Sequence, residues 1–144
     1  MDLYRPVGLR ELELIAEAAY RAFPPRLSHQ PIFYPVLDLP YARQIAREWN
    51  APDAFSGFVG FVVAFSVDDA FAARYPVQVA GASRHRELWV PAEELDAFNA
   101  HLTGPIRVLE AHPGPAFSGA IDAATRLPSH LAPARYEAPA AERR

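Results

Sequence analysis

The side chains best suited to chemistry in this chain lie on or beside three predicted strands. Arg5 is in the first strand and Glu87 begins a late apolar strand. Tyr34 is in the second strand, and Tyr41 lies at the start of the helix that follows. An arginine fork can hold phosphate and ribose oxygens, an aromatic ring can stack on a cationic ring, and a carboxylate can stabilise a developing positive charge. These residue types suit the binding of a dinucleotide and cleavage of its N-glycosidic bond.

Arg5 and Glu87 also have ordinary structural interpretations. An arginine in a short strand is often a surface residue or an ion-pair partner. Glu87 stands among apolar residues, so it is either at a wet sheet edge, paired with Arg84 or Arg86, or held in a pocket with partners. Geometry separates these cases. An enzyme needs Arg5, Tyr34 and Glu87 on one cleft, whereas a structural Glu87 is held in an ion pair and faces away from any cavity.

Tyr34 and Tyr41 are aromatic residues of a kind that more often pack in a core than contact a ligand. Phe33 and Tyr34 are adjacent, so strand alternation sends them to opposite faces of the sheet. We assign the cleft-facing position to Tyr34, because its hydroxyl group gives it a reason to face water. A flat ring there can stack on a planar cationic nicotinamide.

Composition excludes several classes of chemistry. The 144 residues contain no cysteine and no lysine, and all 14 basic residues are arginine, which rules out thiol nucleophiles, thiolate-bound zinc and Schiff-base lysines. The net charge of −3 disfavours binding to duplex nucleic acid. The first residues lack a signal-peptide pattern, and the longest apolar stretch, residues 58–65, is too short to span a membrane. We therefore expect a cytoplasmic protein without a membrane partner.

Other catalytic templates fit poorly. The sequence has no Gly-x-Ser-x-Gly elbow, which a serine hydrolase would need. Its five histidines lack the i, i+4 pairing of a helical metal site, so we expect no metal.

Periodicity predicts an α+β domain over residues 1–112. The strand over residues 58–67 is almost entirely apolar, so it is predicted to be central, and Gly60 within it indicates a bulge or a close backbone approach. After His112 the periodicity fails, and residues 113–144 are predicted to form a Pro/Ala-rich tail that is partly disordered or draped on the core. The predicted strands are 3–7, 32–37, 58–67, 77–80, 85–90 and 106–111, and the predicted helices are about 9–23, 41–50, 68–74 and 92–102.

At these motifs the chain resembles small bacterial proteins labelled "ADP-ribosylation/crystallin J1", and more broadly the ADP-ribosyltransferase superfamily. The motifs are Tyr-Arg-Pro-Val-Gly from residue 4, Pro-Ile-Phe-Tyr-Pro-Val-Leu from residue 31, Tyr-Ala-x-x-Ile-Ala from residue 41 and Glu-Leu-Trp-Val-Pro from residue 87. The resemblance covers about residues 3–112. It implies a fold of two packed small β-sheets flanked by short helices.

The resemblance also implies a function and a role for each residue. NAD would be the substrate, Arg5 would fill the first-strand position that binds it, Tyr34 would fill the aromatic position, Tyr41 would also contact NAD, and Glu87 would be the catalytic glutamate. Members that modify arginine carry Glu or Gln two residues before the catalytic Glu, where this chain has His85, which makes protein arginine a doubtful acceptor.

Two biochemical classes of function therefore stay open, and a toxin or an antitoxin-linked domain is a third possibility that the sequence does not address. The first is an enzyme that transfers ADP-ribose from NAD to an unknown macromolecular or small-molecule acceptor, or that hydrolyses NAD. The second is a non-catalytic domain on the same fold that binds a nucleotide or a protein, because a fold by itself does not specify catalysis.

Overall fold

A computed structural model describes residues 1–81 and 85–132 of the chain, which form an α+β structure with small antiparallel sheets. The elements are β1 (Asp2–Val7), α1 (Leu9–Glu17), β2 (Ile32–Phe33), α2 (Leu39–Ile45), β3 (Val59–Ser66), α3 (Asp69–Ala72), β4 (Gln78–Val79), β5 (Arg86–Glu87), β6 (Val90–Pro91), α4 (Leu95–Ala100) and β7 (Arg107–Pro113). Between α2 and β3 lie a π-helical turn, Ala46–Asn50, and a 3₁₀ turn, Ala54–Ser56. A second 3₁₀ turn, Ala92–Glu94, precedes α4.

The largest sheet has the strand order β1-β3-β7, with both pairs antiparallel. Every residue of β3 except Ser66 is buried, which is why this strand is apolar throughout rather than alternating. The prediction of a central strand here is confirmed. Two short ladders, β2-β6 and β4-β5, lie beside this sheet.

Val36 joins the edge of the main sheet to β5. Tyr4 and Val36 exchange two backbone hydrogen bonds of 2.8 Å, and Val36 forms a bridge to Glu87 on its other side. Backbone groups two residues apart in a strand point to the same side, so the nitrogen of Pro6 faces the Val36 side as that of Tyr4 does. Because Pro6 has no N–H, it cannot continue this pairing. Arg5, Val36 and Glu87 are thereby brought side by side.

Gly60 allows a close approach between β3 and the π-helical turn. A β-carbon at this position would lie 2.3 Å from the carbonyl oxygen of Ala46, a distance that no side chain tolerates. The predicted close backbone approach at Gly60 is confirmed, and it seats the turn that leads from α2 back into the sheet.

The first helix is shorter than its periodicity predicts. It ends at Glu17 instead of continuing to Phe23, because Ala19 and Tyr20 adopt positive φ angles of 55° and 61° that turn the chain. The carbonyl of Tyr20 then accepts a hydrogen bond from Ile106 at 2.7 Å. Phe23 still reaches the core, so its apolar character reflects tertiary packing rather than a helical face.

The predicted second strand, residues 32–37, is also shorter in the structure. Only Ile32 and Phe33 form β2, and Val36 pairs as an isolated bridge. Pro35 interrupts the ladder because it has no N–H to donate.

The loss of periodicity after His112 does not coincide with the end of the packed chain. β7 runs to Pro113, and Gly114 donates a hydrogen bond to the carbonyl of Phe58 at 2.8 Å. Leu127 is fully buried in the main core, and Phe117 and Ile121 pack against that core. Residues 114–132 therefore lie against the domain. Their buried apolar side chains are too widely spaced along the sequence to show a helical or strand period. The rest of the predicted tail, residues 133–144, lies outside the described residues.

This packing generates a stability prediction. Replacing Leu127 by Ala removes a fully buried side chain, so the free energy of unfolding should fall by about 2–5 kcal/mol. Leu27→Ala is the matched control, because Leu27 is exposed. Denaturant unfolding of both variants measures the difference. Equal, small effects would show that the Leu127 side chain contributes little to the stability of the core.

Candidate functional site

One cavity brings together all four residues that the sequence singles out. Its volume is about 400 Å³, and it lies where pairing between β1 and the Val36 segment stops. Its walls combine one basic, one acidic and three aromatic side chains with three smaller apolar ones. The lining residues are Arg5, Pro6, Tyr34, Val36, Tyr41, Ile45, Glu87 and Trp89.

Glu87 is a buried carboxylate held by two neutral donors. The residue is only 8% exposed, the Tyr41 hydroxyl donates to Oε2 at 3.1 Å, and Trp89 Nε1 donates to Oε1 at 2.8 Å. Among the described residues no basic side chain pairs with it, since Arg86 forms an ion pair with Asp38 at 2.8 Å instead. The edge-glutamate interpretation with Arg86 as partner is therefore not what the structure shows. Arg84, the other proposed partner, lies outside the described residues.

Strand geometry explains how Glu87 reaches the cavity. Residues two apart in an extended chain share a face, which brings Trp89 Nε1 back to Glu87. Leu88 points to the opposite face and is fully buried in the main core. Trp89 is 46% exposed, so this apolar neighbour of Glu87 is not buried in the core.

Tyr41 is fixed by its place in the first turn of α2 and by a stacked neighbour. The His85 ring lies parallel to the Tyr41 ring, with centroids 4.3 Å apart. Burial, together with the charge and hydrogen bond of Glu87, raises the pKa of Tyr41 to about 12. The Tyr41 hydroxyl therefore stays protonated at neutral pH and keeps donating to the carboxylate.

Tyr34 and Trp89 supply aromatic surface at the cavity. Tyr34 is 39% exposed, while its neighbour Phe33 is buried in the core, as the alternation of adjacent residues predicts. The rings of Tyr34 and Trp89 meet edge to face with centroids 6.5 Å apart. Both rings keep surface accessible to a planar ligand.

Arg5 lines the cavity but already has a carboxylate partner. Its Nε and one terminal nitrogen donate to the two oxygens of Glu11 at 2.7 and 3.0 Å, and the other terminal nitrogen approaches the carbonyl of Tyr34 at 3.4 Å. The guanidinium also lies 4.6 Å from the ring centre of Phe33. The ion-pair interpretation of Arg5 is thus realised. The two terminal nitrogens still carry N–H groups beyond these contacts, which can donate to a ligand.

Three contributors to the site were not predicted from the sequence. Trp89 could have been found from its i+2 spacing to Glu87. Glu11 carries no such signal, because it lies on a helix whose acidic residues look like an ordinary solvated face. His85 was noted only as the residue two before Glu87, and its stacking on Tyr41 depends on tertiary structure.

No protein-family model matches this chain, and no curated protein or solved structure gives a significant match. Within residues 1–81 and 85–132, none of the helices combines the length and the apolar character needed to cross a bilayer. A functional assignment therefore depends on the geometry of the site.

The raised pKa of Tyr41 can be measured directly. Because the folded-state pKa lies above the ordinary value of 10.0, the stability contributed by Tyr41 is fully present below pH 10 and is lost as the pH rises through about 12. At pH 11 about nine-tenths of Tyr41 should stay protonated. Tyr41→Phe should then barely change phenolate absorbance at 295 nm.

The control for this titration is Tyr75→Phe. Tyr75 donates to Glu94 at 2.6 Å, and burial and that bond raise its pKa to about 12 as well, so its removal should also leave the absorbance at pH 11 nearly unchanged. Loss of one full tyrosine equivalent in Tyr41→Phe alone would show that the bond to Glu87 does not hold the proton.

Proposed function

We propose that this protein is an ADP-ribosyltransferase-like domain that binds NAD and cleaves its nicotinamide–ribose bond, transferring ADP-ribose to an acceptor or to water. The observation that supports this most directly is the buried Glu87 carboxylate, which faces a ligand-sized cavity with no basic partner among the described residues. Tyr34 and Arg5 line the same cavity.

The environment of Glu87 suits the stabilisation of positive charge. Cleavage breaks the bond between ribose C1′ and the nicotinamide nitrogen, and the cationic ring leaves with the bonding electrons as a neutral amide. Positive charge then develops on the ribose, where a nearby carboxylate lowers the barrier. Tyr41 and Trp89 fix the carboxylate by hydrogen bonds and, being neutral, leave its charge available. One carboxylate suffices, because the leaving group needs no proton.

The aromatic surface suits the leaving group. Nicotinamide in NAD is flat and cationic, and such rings bind against aromatic faces. Tyr34 and Trp89 offer this surface within the cavity. The cavity volume of about 400 Å³ lies in the range of ligand sites and matches the nicotinamide–ribose end of the dinucleotide rather than the whole molecule.

The acceptor attacks ribose C1′ after or during departure of nicotinamide, and its proton passes to Glu87 or to solvent. With water as acceptor the products are ADP-ribose and nicotinamide. His85, stacked on Tyr41, stands where an acidic or amide side chain would be expected for an arginine acceptor. Protein arginine is therefore not the acceptor we propose.

The competing function is a non-catalytic nucleotide- or protein-binding domain. One observation favours it: the ion pair with Glu11 compensates the charge of Arg5, as expected of a structural residue. The two functions differ in whether the charge of Glu87 matters for turnover.

Glu87→Gln tests the catalytic assignment. It keeps the shape of the side chain and removes its charge, so NAD affinity should change little while nicotinamide release falls by roughly 100-fold or more. Nicotinamide release from NAD, with and without a cell lysate as acceptor source, is the measurement.

Glu94→Gln is the matched control for this substitution. Glu94 also accepts a tyrosine hydroxyl, from Tyr75, but does not line the cavity, so its loss should not affect turnover. Undiminished turnover in Glu87→Gln would show that Glu87 is not a catalytic residue. NAD binding without cleavage in the parent protein would support the binding domain.

The role of Arg5 in NAD binding is tested by comparing a substitution of Arg5 with one of its ion-pair partner, Glu11. Arg5→Ala and Glu11→Gln both break the same ion pair, but only the first removes donors from the cavity. If Arg5 holds NAD, calorimetry should show a loss of about 1.5–3 kcal/mol in NAD binding for Arg5→Ala and a much smaller loss for Glu11→Gln. Equal losses would assign Arg5 a purely structural role.

A further inference from the structure

A second and larger cavity adjoins the candidate site. Its volume is about 560 Å³, and it shares Arg5 and Pro6 with the smaller cavity, so the two lie on either side of these residues. The segment between α1 and β2 forms one wall, and the 3₁₀ turn before β3 contributes another part. Its further lining residues include Arg10, Glu11, Arg26 and Phe55.

The charge in this cavity is unbalanced. Three arginines line it, whereas Glu11 is its one carboxylate among the described residues and is already bonded to Arg5. Arg10 forms longer ion pairs with two acidic residues of its own helix, at 3.5 Å to Glu13 and 3.7 Å to Glu17. A cavity with surplus arginine charge suits an anion with several acceptor oxygens.

Arg26 is the arginine most clearly free to bind such an anion. Its Nε donates to the carbonyl of Ile32 at 3.0 Å, which fixes the side chain, and it forms no ion pair with any described residue. Burial and the neighbouring Arg5 lower its pKa, whereas Glu11 and Tyr34 act in the opposite direction, and an anion bound beside it would further favour the charged guanidinium. Its two terminal nitrogens suit the bidentate grip that arginine makes on phosphate.

Two further features favour a nucleoside phosphate over a simple anion. Phe55 lines the cavity with 76% of its surface exposed, which leaves a ring face for a base to stack on. The first turn of α1 also lines the cavity, and its N-cap, Gly8, has no side chain to bond the amide groups there, although Glu11 in the same turn carries a negative charge.

We propose that this larger cavity binds a nucleoside phosphate, with Arg26 gripping the phosphate and Phe55 stacking on the base. The phosphate has two possible sources. It belongs either to the dinucleotide whose other end occupies the smaller cavity, or to a phosphorylated acceptor bound beside it. Both sources rest on the proposed function, whereas the phosphate site itself does not.

Calorimetric titration with ADP tests the site without any catalysis. The parent protein should bind ADP, and Arg26→Gln should weaken that binding by about tenfold or more, as expected for loss of a charge-assisted hydrogen bond. Arg21→Gln is the control, because Arg21 is exposed nearby in the chain and does not line the cavity. Absence of ADP binding in the parent, or equal affinity in the two variants, would overturn the proposal.

A second pair of variants keeps the test decisive if Arg26→Gln does not fold. Arg26→Lys retains the charge but not the fork, and Arg10→Gln removes a second cation from the same cavity. Weaker ADP binding in either variant supports the site. Unchanged affinity in both overturns it.

Ligand comparison distinguishes the two sources. If the phosphates are those of the dinucleotide, ADP should compete with NAD for binding. Arg26→Gln should then weaken the binding of NAD but not that of nicotinamide riboside, which lacks phosphate. If the phosphates belong to an acceptor, ADP should bind to protein that is already saturated with NAD. Arg26→Gln should then weaken the binding of ADP and leave the binding of NAD unchanged. ADP binding that depends on Arg26, without any NAD cleavage, would contradict the proposed function and support this phosphate site. NAD cleavage that depends on Glu87, without ADP binding, would support the proposed function and contradict this site.

Discussion

The backbone pairing of Val36 is the constraint on which the candidate site depends. Val36 bonds to Tyr4 on one side and bridges to Glu87 on the other, so three segments far apart in sequence lie next to one another. Pro6 cannot continue this pairing, and the cavity lies where the pairing stops. Arg5 is one residue from Tyr4, Tyr34 is two residues from Val36, and Glu87 is itself bridged to Val36, so the three side chains converge there. Without this link the same residues would have no common cleft.

The two buried ionisable side chains at the site, Arg5 and Glu87, have different kinds of hydrogen-bond partner. Arg5 is bound by the Glu11 carboxylate, so its charge is compensated by a neighbour in the fold. Glu87 is equally buried but is held by a phenol and an indole, which satisfy its oxygens and leave its charge intact. Buried carboxylates are usually paired with a basic group, so one at a cavity wall without a basic partner among the described residues is a reason to connect it with function. This asymmetry makes Glu87, rather than Arg5, the main support for the proposed chemistry.

Sequence patterns predicted local structure where one physical effect dominates. The unbroken apolar run of β3 indicated burial on both faces, and Gly60 indicated close backbone contact, because both are direct steric or solvation requirements. Patterns were misleading where tertiary contacts override the local period. The helical spacing of Phe23 continues beyond α1, yet the chain turns at Ala19 and Tyr20, and the carbonyl of Tyr20 bonds to Ile106 just before β7. Leu127 has no periodic neighbours, so its burial could not be read from its surroundings.

The sequence by itself determined the chemical inventory: one candidate carboxylate in an apolar strand, an arginine in the first strand, aromatic residues beside the second, and neither thiol nor lysine chemistry. Residue types and short-range spacing encode these facts, including the opposite faces of Phe33 and Tyr34. Only the tertiary structure decided which partner each charged group takes. Glu11 lies six residues from Arg5 and Tyr41 lies 46 from Glu87, and both partnerships depend on how the helices lie against the sheets. The second, arginine-rich cavity likewise exists only because the loop after α1 folds back beside β1.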